Sequence, residues 1–297
     1  MSHLSGGVMA ELAVYLLAIA AALAHAAGQV LQRKSSRTVP EKEQESTQLF
    51  RDLFKKPLWL AGIAITVFAT ILQVAALSFG ALATVQTVTI LELPFALIGA
   101  AWFLGGSLRW RDWCYIGVMT LGTAGVVAFL DPQGGHATNI SGLTWGIALA
   151  ATIVPIVVLY AFTRRAESAR DAALLGAATG ICFALFAALM KGVTLQFHEG
   201  ALAVVTSWQI YLAILSAIAG GWLMQNAVHA GKLVAAQPGI KLLDPAVAIV
   251  WGALVFHGRM RGGLFIIMVV LSAAAIAVSA VMLAKSPQVD EKASEKR

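Results

Sequence analysis

Two acids and a lysine stand where a membrane-crossing helix has no need of them. Glu92 lies inside the apolar run 81–105, and Lys241 and Asp244 lie inside the run 232–256. A charge at the centre of such a helix costs roughly 2.5–3.5 kcal/mol to insert. Groups kept at that cost face a bundle interior or a wet cavity, where a carboxylate holds a cation or a proton. Pro94 follows Glu92 and Pro245 follows Asp244. A proline ring leaves a carbonyl about one turn earlier without its donor. Glu92 and Asp244 beside such carbonyls are the candidate metal ligands. Gln237, Lys241 and Asp244 fall on one helical face, and Thr89 lies one turn from Glu92 on its own. Glu92 has no basic neighbour on its helix, so its partner must come from another, with Lys241 and Lys191 as candidates. Lys241 and Asp244 neutralising each other is the competing arrangement.

The remaining polar candidates lie in neighbouring apolar runs. His25, Gln29 and Gln32 form a stripe on the first. Gln73 lies late in the second, Lys191 late in the sixth, and Gln225, Asn226 and His229 late in the seventh. One amide in a membrane helix is ordinarily packing glue, worth about 0.6 kcal/mol. Together with Gln86 and Gln237 they make a candidate substrate-binding set. Cys114 and Cys182 have no metal-ligand spacing and read as packing residues.

These residues need helices that cross a bilayer, and the composition supplies them. The chain has 297 residues, 59% of them hydrophobic and 12% charged, with a mean hydropathy of +0.80. Soluble domains carry about 25% charged residues, so a soluble globular fold is excluded. Runs of about 20 apolar residues span the ~30 Å hydrocarbon core. The spans expected are 9–31, 57–79, 81–105, 112–130, 142–162, 171–194, 204–229, 232–256 and 262–283. The fold class is an all-α polytopic membrane protein. No cleavable signal peptide is expected, since residues 1–10 hold no Lys or Arg.

Basic residues orient the array. Arg33, Lys34, Arg37, Lys42, Arg51, Lys55, Lys56, Arg109, Arg111, Arg164, Arg165, Arg170, Lys232, Lys285, Lys292, Lys296 and Arg297 fall on one side; Arg259 and Arg261 fall on the other. The positive-inside rule puts the rich side in the cytoplasm. The N-terminus is then outside and the C-terminus cytoplasmic, in a plasma (inner) membrane. Trp59, Trp110, Trp113, Trp145 and Trp208 fall near span ends, as an aromatic belt requires. Loop 32–56 is expected to be cytoplasmic, its segment 35–48 mobile, and the tail 286–297 disordered. Asn139-Ile140-Ser141 matches a glycosylation triplet that is common by chance.

The chain also repeats itself. Gly80, Gln86 and Pro94 precede Gly231, Gln237 and Pro245 by 151 residues each. The offset relates spans 57–105 to spans 204–256. Residues 1–131 then form a first repeat and 171–285 a second, with the linker span inside 132–170. In this 4+1+4 arrangement an odd number of crossings separates the halves, so they lie inverted in the membrane. Inverted repeats with broken helices at the midplane are a recurring design of secondary transporters. Inversion also puts Arg259 and Arg261, the copy of Arg109 and Arg111, outside.

At these residues the chain resembles the drug/metabolite transporter superfamily, and within it the NIPA-like magnesium transporters and the EamA-like branch. The matching stretches are Gln29-Val-Leu-Gln32-Arg33-Lys34, Trp59-Leu-Ala-Gly62, Gln73-Val-Ala-Ala-Leu77 and the helix Gln86 to Pro94. Gly122-Thr-Ala-Gly125-Val126 and Gly180-Ile-Cys182 through Lys191-Gly192 also fit. The resemblance implies a bundle of inverted repeats, alternating access and a central cavity. It implies magnesium or another divalent cation as a substrate; other members move amino acids, drugs and metabolites. Members often carry a Glu just after the third and eighth spans, where this chain reads Leu104-Gly105-Gly106-Ser107 and Phe256-His257-Gly258.

No enzyme is expected. The chain has no Gly-x-Ser-x-Gly, no His-Glu-x-x-His and no metal-ligand pair at helical spacing. No cofactor is expected. The partners expected are the lipid bilayer, a small solute or cation and a second copy in a homodimer, but not nucleic acid. A non-transporting accessory membrane protein is the other class, and predicts that neutral replacements of the central carboxylates leave uptake and efflux unchanged.

Overall fold

The computed structural model describes residues 2–36, 56–105, 107–134, 140–163, 168–230 and 233–285. The expected mobile segment 35–48 beyond Ser36, the tail from Ser286, Asn139 and the His229 side chain lie outside what is described. Among the described residues the chain is helical, with no strand beyond one isolated bridge between Gln133 and Arg259. In order the helices are α1 (Ser2–Ser36), α2 (Pro57–Phe79), α3 (Leu82–Val88), α4 (Glu92–Phe103), α5 (Trp110–Leu130) and α6 (Gly142–Ala161). Then come α7 (Ala169–Thr194), α8 (Ala201–Thr206), α9 (Trp208–Ala230), α10 (Leu233–Leu254) and α11 (Leu264–Ala284).

Counting α3 and α4 as one, eight of these helices are long and apolar enough to cross a membrane. The helix α10 is as long, at 22 residues, and carries Gln237, Lys241 and Asp244 within its apolar run. Large apolar side chains such as Leu16, Phe68, Leu121, Ile218 and Leu271 are exposed around the outside. In a bilayer these face acyl chains, and backbone polar groups are satisfied inside each helix.

The run 81–105 departs from the single helix expected of it. It is α3, a 3₁₀ turn over Thr89–Leu91, and α4 beginning at Glu92. Pro94 explains the place: lacking an N–H, it cannot bond the Ile90 carbonyl one turn back. Nearby, the Thr87 hydroxyl donates to the Ala83 carbonyl at 2.7 Å and that of Thr89 to the Gln86 carbonyl at 2.8 Å. The tightened turn sits on the carboxylate, where mid-helix 3₁₀ geometry often marks a hinge. The helix α10 carries Pro238 and Pro245 yet stays continuous.

Two hubs organise the bundle. The helix α1 packs along α2 and against α3 and α4, and α7 packs along both α9 and α10. A third pairing joins α5 to α11, and α3 meets α10 across the centre. Among the eight apolar helices α7 is the most buried and α6 the least. The α7–α10 seam is backbone against backbone. A Cβ on Gly176 would lie 2.4 Å from the Ala236 carbonyl oxygen, and one on Gly180 2.8 Å from that of Gly239. Such small-xxx-small spacing lets helices approach closely in lipid, and here it sets the height of α10. Gly176→Ala should therefore destabilise the protein by about 1–3 kcal/mol, the usual range for overpacking. Thermal unfolding in detergent checks this against Gly146→Ala on α6, where a Cβ meets nothing within 4 Å.

The aromatic belt needs one correction. Trp145 is buried, not interfacial: its ring meets Trp208 edge-on at 5.0 Å, Trp251 at 5.6 Å and Phe256 at 6.0 Å. The indole of Trp251 in turn donates to the Thr152 hydroxyl at 3.0 Å. This aromatic knot anchors α6, otherwise lipid-facing, to the bundle.

Candidate functional site

The break between α3 and α4 turns Glu92 toward α1 and α10. Gln29 on α1 donates its amide to Glu92 Oε1. Lys241 on α10 approaches Glu92 Oε2 at 3.4 Å, and the two side chains keep 17% and 14% of their surface exposed. That remnant leaves the pair partly accessible, whereas a sealed pair could not be reached by a solute. Lys241 thus pairs across the bundle with Glu92 rather than with Asp244 on its own helix.

Asp244 is held differently. Gln73 on α2 donates to Gln86 Oε1 at 2.7 Å, and Gln86 donates to Asp244 Oδ1 at 2.8 Å. Gln86 is almost wholly buried, and bonding at both ends fixes the orientation of its amide. The relay ties α2, α3 and α10 together through groups that would otherwise be orphaned in a low-dielectric interior. Asp244 also lies within electrostatic range of both Lys241 and Glu92. Two carboxylates and one ammonium are gathered here, an excess of one negative charge when all are ionised. Gln237, one turn before Lys241, buries its Oε1 with no hydrogen-bond partner among the described residues.

Lys191 does not serve Glu92. Fully buried on α7, its ammonium donates to the carbonyls of Leu77 at 2.7 Å and Gly80 at 2.9 Å. Those carbonyls end α2, where four have no partner within their helix. Lys191 therefore clamps the turn between α2 and α3 and, through it, the height of Gln86. It positions the site without joining it.

The other candidates lie apart. Thr89 bonds its own chain, as described above. Asn226 donates to the Trp222 carbonyl of its own helix at 2.7 Å, and Gln225 is exposed on α9. His25 is half-buried on α1, one turn before Gln29. Among the described residues no three His, Cys, Asp or Glu side chains form a group that could hold a metal ion. A feature with no sequence signal is the clasp at the ends of α5 and α10. Arg261 pairs with Asp131 at 2.9 Å and lies over the Phe265 ring, while Gln133 and Arg259 exchange backbone bonds.

Comparison with known proteins adds one relative. The chain is 27% identical over 255 residues to an uncharacterized protein of Corynebacterium glutamicum, covering 86% of this chain and 88% of that one. No family model matches the sequence. No solved structure matches it.

Proposed function

We propose that this chain is a secondary transporter of the drug/metabolite transporter type, moving a small organic solute that carries an ammonium group by alternating access. The observation that carries the reading is the meeting of Glu92, Lys241 and Asp244, from helices far apart in sequence, inside the bundle, with the Glu92–Lys241 pair still partly exposed. A structural ion pair has no use for the second acid, for the remaining exposure or for the orphaned Gln237 oxygen. An ammonium group can use all three. It brings N–H donors, balances the excess negative charge and can displace Lys241 from Glu92.

Architecture supports the same reading. In the nine-span arrangement α10 is the eighth span, the N-terminus lies outside, and the basic C-terminus faces the cytoplasm across a plasma membrane. Exchanging the halves carries the α1–α2 contact into α7–α9 and the contact of α1 with α3 and α4 into α7–α10. The pairs α5–α11 and α3–α10 map onto themselves. Inverted-repeat carriers place their site at such a repeat interface, beside interrupted helices. The 3₁₀ turn at Thr89–Leu91 is that interruption.

Magnesium or another divalent cation is the second reading, favoured by the two acids Glu92 and Asp244. Magnesium prefers carboxylates and waters in near-octahedral array. At this site it meets the Lys241 ammonium already on Glu92, which is why the organic solute comes first.

Proteoliposome flux separates them, with labelled amino acids, polyamines and magnesium as probes. The expected result is uptake of an ammonium-bearing solute that Glu92→Gln abolishes. Magnesium uptake sensitive to Glu92→Gln, without organic flux, would replace this reading by the second. Full flux through neutral variants of both acids would leave only an accessory role. For the transported solute, Gln237→Leu should raise KM about tenfold with little change in maximal rate. A lost hydrogen bond to a charged donor is worth about 1.5 kcal/mol or more, and about 1.4 kcal/mol is a factor of ten.

A further inference from the structure

Away from the site, α4 ends and α5 begins around a groove of about 310 Å³ lined by Ile98, Ala101, Trp102, Leu108 and Trp113. It is apolar and opens outward. Trp102 is 87% exposed, and its neighbour Phe103 meets it edge-on. Arg109 follows the lining residue Leu108, Arg111 lies two residues before the lining residue Trp113, and both are exposed. The acid between them and Trp113 in the chain is occupied otherwise. Asp112 is buried, and its carboxylate accepts the Arg109 backbone N–H at 3.0 Å, as a cap on α5. Among the described residues no ion pair engages either guanidinium.

An apolar slot bordered in the chain by two exposed arginines that no ion pair engages among the described residues is complementary to an amphiphile with an anionic head. In a bilayer that amphiphile is at hand. We propose that the groove holds an acyl chain of an anionic glycerophospholipid whose phosphate is clasped by Arg109 and Arg111. Arginine forks match phosphate oxygens two at a time, and indoles settle at headgroup depth. On the orientation given above the lipid belongs to the cytoplasmic leaflet, whose anionic lipids draw basic residues at its surface. The site is independent of what the central cavity carries.

Native mass spectrometry of the purified full chain tests this, titrating phosphatidylglycerol against phosphatidylcholine of the same chain length. The wild type should retain one phosphatidylglycerol with a preference of about twentyfold, the factor two such charges provide. Inorganic phosphate should not displace it, because the chain as well as the head is bound. Arg109→Gln/Arg111→Gln should reduce the preference to about twofold, while Arg170→Gln, an exposed arginine on α7, should keep it. Four results would overturn the proposal: equal retention of the two lipids by the wild type, displacement by phosphate, an equal loss in Arg170→Gln, or a second copy of the chain excluding lipid from the groove.

Discussion

Lys241→Met is expected to destabilise the protein by about 3–5 kcal/mol, the usual penalty for removing one member of a buried ion pair. The 14% exposure of Glu92 places the result toward the lower end. The penalty arises because the Glu92 carboxylate would keep Gln29 as a donor but lose its counter-charge in a low-dielectric setting. The informative variant is the double one. Lys241→Met/Glu92→Gln removes both charges, and neutral replacement of a buried pair is often close to harmless. Its thermal stability in detergent should return to within about 1 kcal/mol of wild type. Transport should not return, because the groups proposed to bind the solute are gone. A double variant that is stable and fully active would reduce the pair to scaffolding. One that is stable and inactive separates binding from folding in a single measurement.

Lys191→Met is the second large effect. The substitution deletes two charge-assisted hydrogen bonds, each worth roughly 1.5–3 kcal/mol, and leaves the Leu77 and Gly80 carbonyls without donors. Relief from burying an ammonium offsets part of this, so a net loss of about 2–4 kcal/mol is expected. The damage should be local. With the α2 terminus unclamped, the turn at Gly80 and the helix α3 should open first. Hydrogen exchange should rise around residues 77–88 while α9 and α11 stay protected. Solute affinity should fall as well, because Gln86 rides on that turn and orients Asp244. Uniform loss of protection across the chain would mean that Lys191 supports the bundle generally and not this turn.

These two lysines also mark how far the sequence could be read. Apolar runs locate spans because each membrane helix satisfies its own backbone, so α2 is expected at 57–79 and observed at Pro57–Phe79. Glu92, Lys241, Gln86, Gln73 and Gln29 stand out as candidates because polarity inside such a run is costly. Which of them touch is another matter. Partner choice depends on how helices rotate and slide against one another, and nothing in the local spacing of Glu92 separates Lys241 from Lys191. The ligands of Lys191 are backbone carbonyls, which any residue supplies and no sequence pattern announces. The 3₁₀ turn before Pro94 is foreshadowed by that proline, yet Pro245 stands in an unbroken helix. Proline shows where a helix can yield, and the packing around it settles whether it does. Trp145 misleads for a similar reason: its place near a span end suits an interface, but the ring turns inward to meet Trp251 and Phe256.

The polar character of α10 has a consequence for how the protein is made. Lys241 and Asp244 each oppose partition into lipid by roughly 2.5–3.5 kcal/mol, so this segment is a poor candidate to enter the bilayer alone. Its counterparts, Glu92 and Gln86, belong to α4 and α3 and are synthesised well over a hundred residues earlier. The glycine face of α7 that receives it is also made beforehand. Integration of α10 is therefore expected to be a docking event onto helices already in place, with the site completed late in biogenesis, when the two halves of the chain meet.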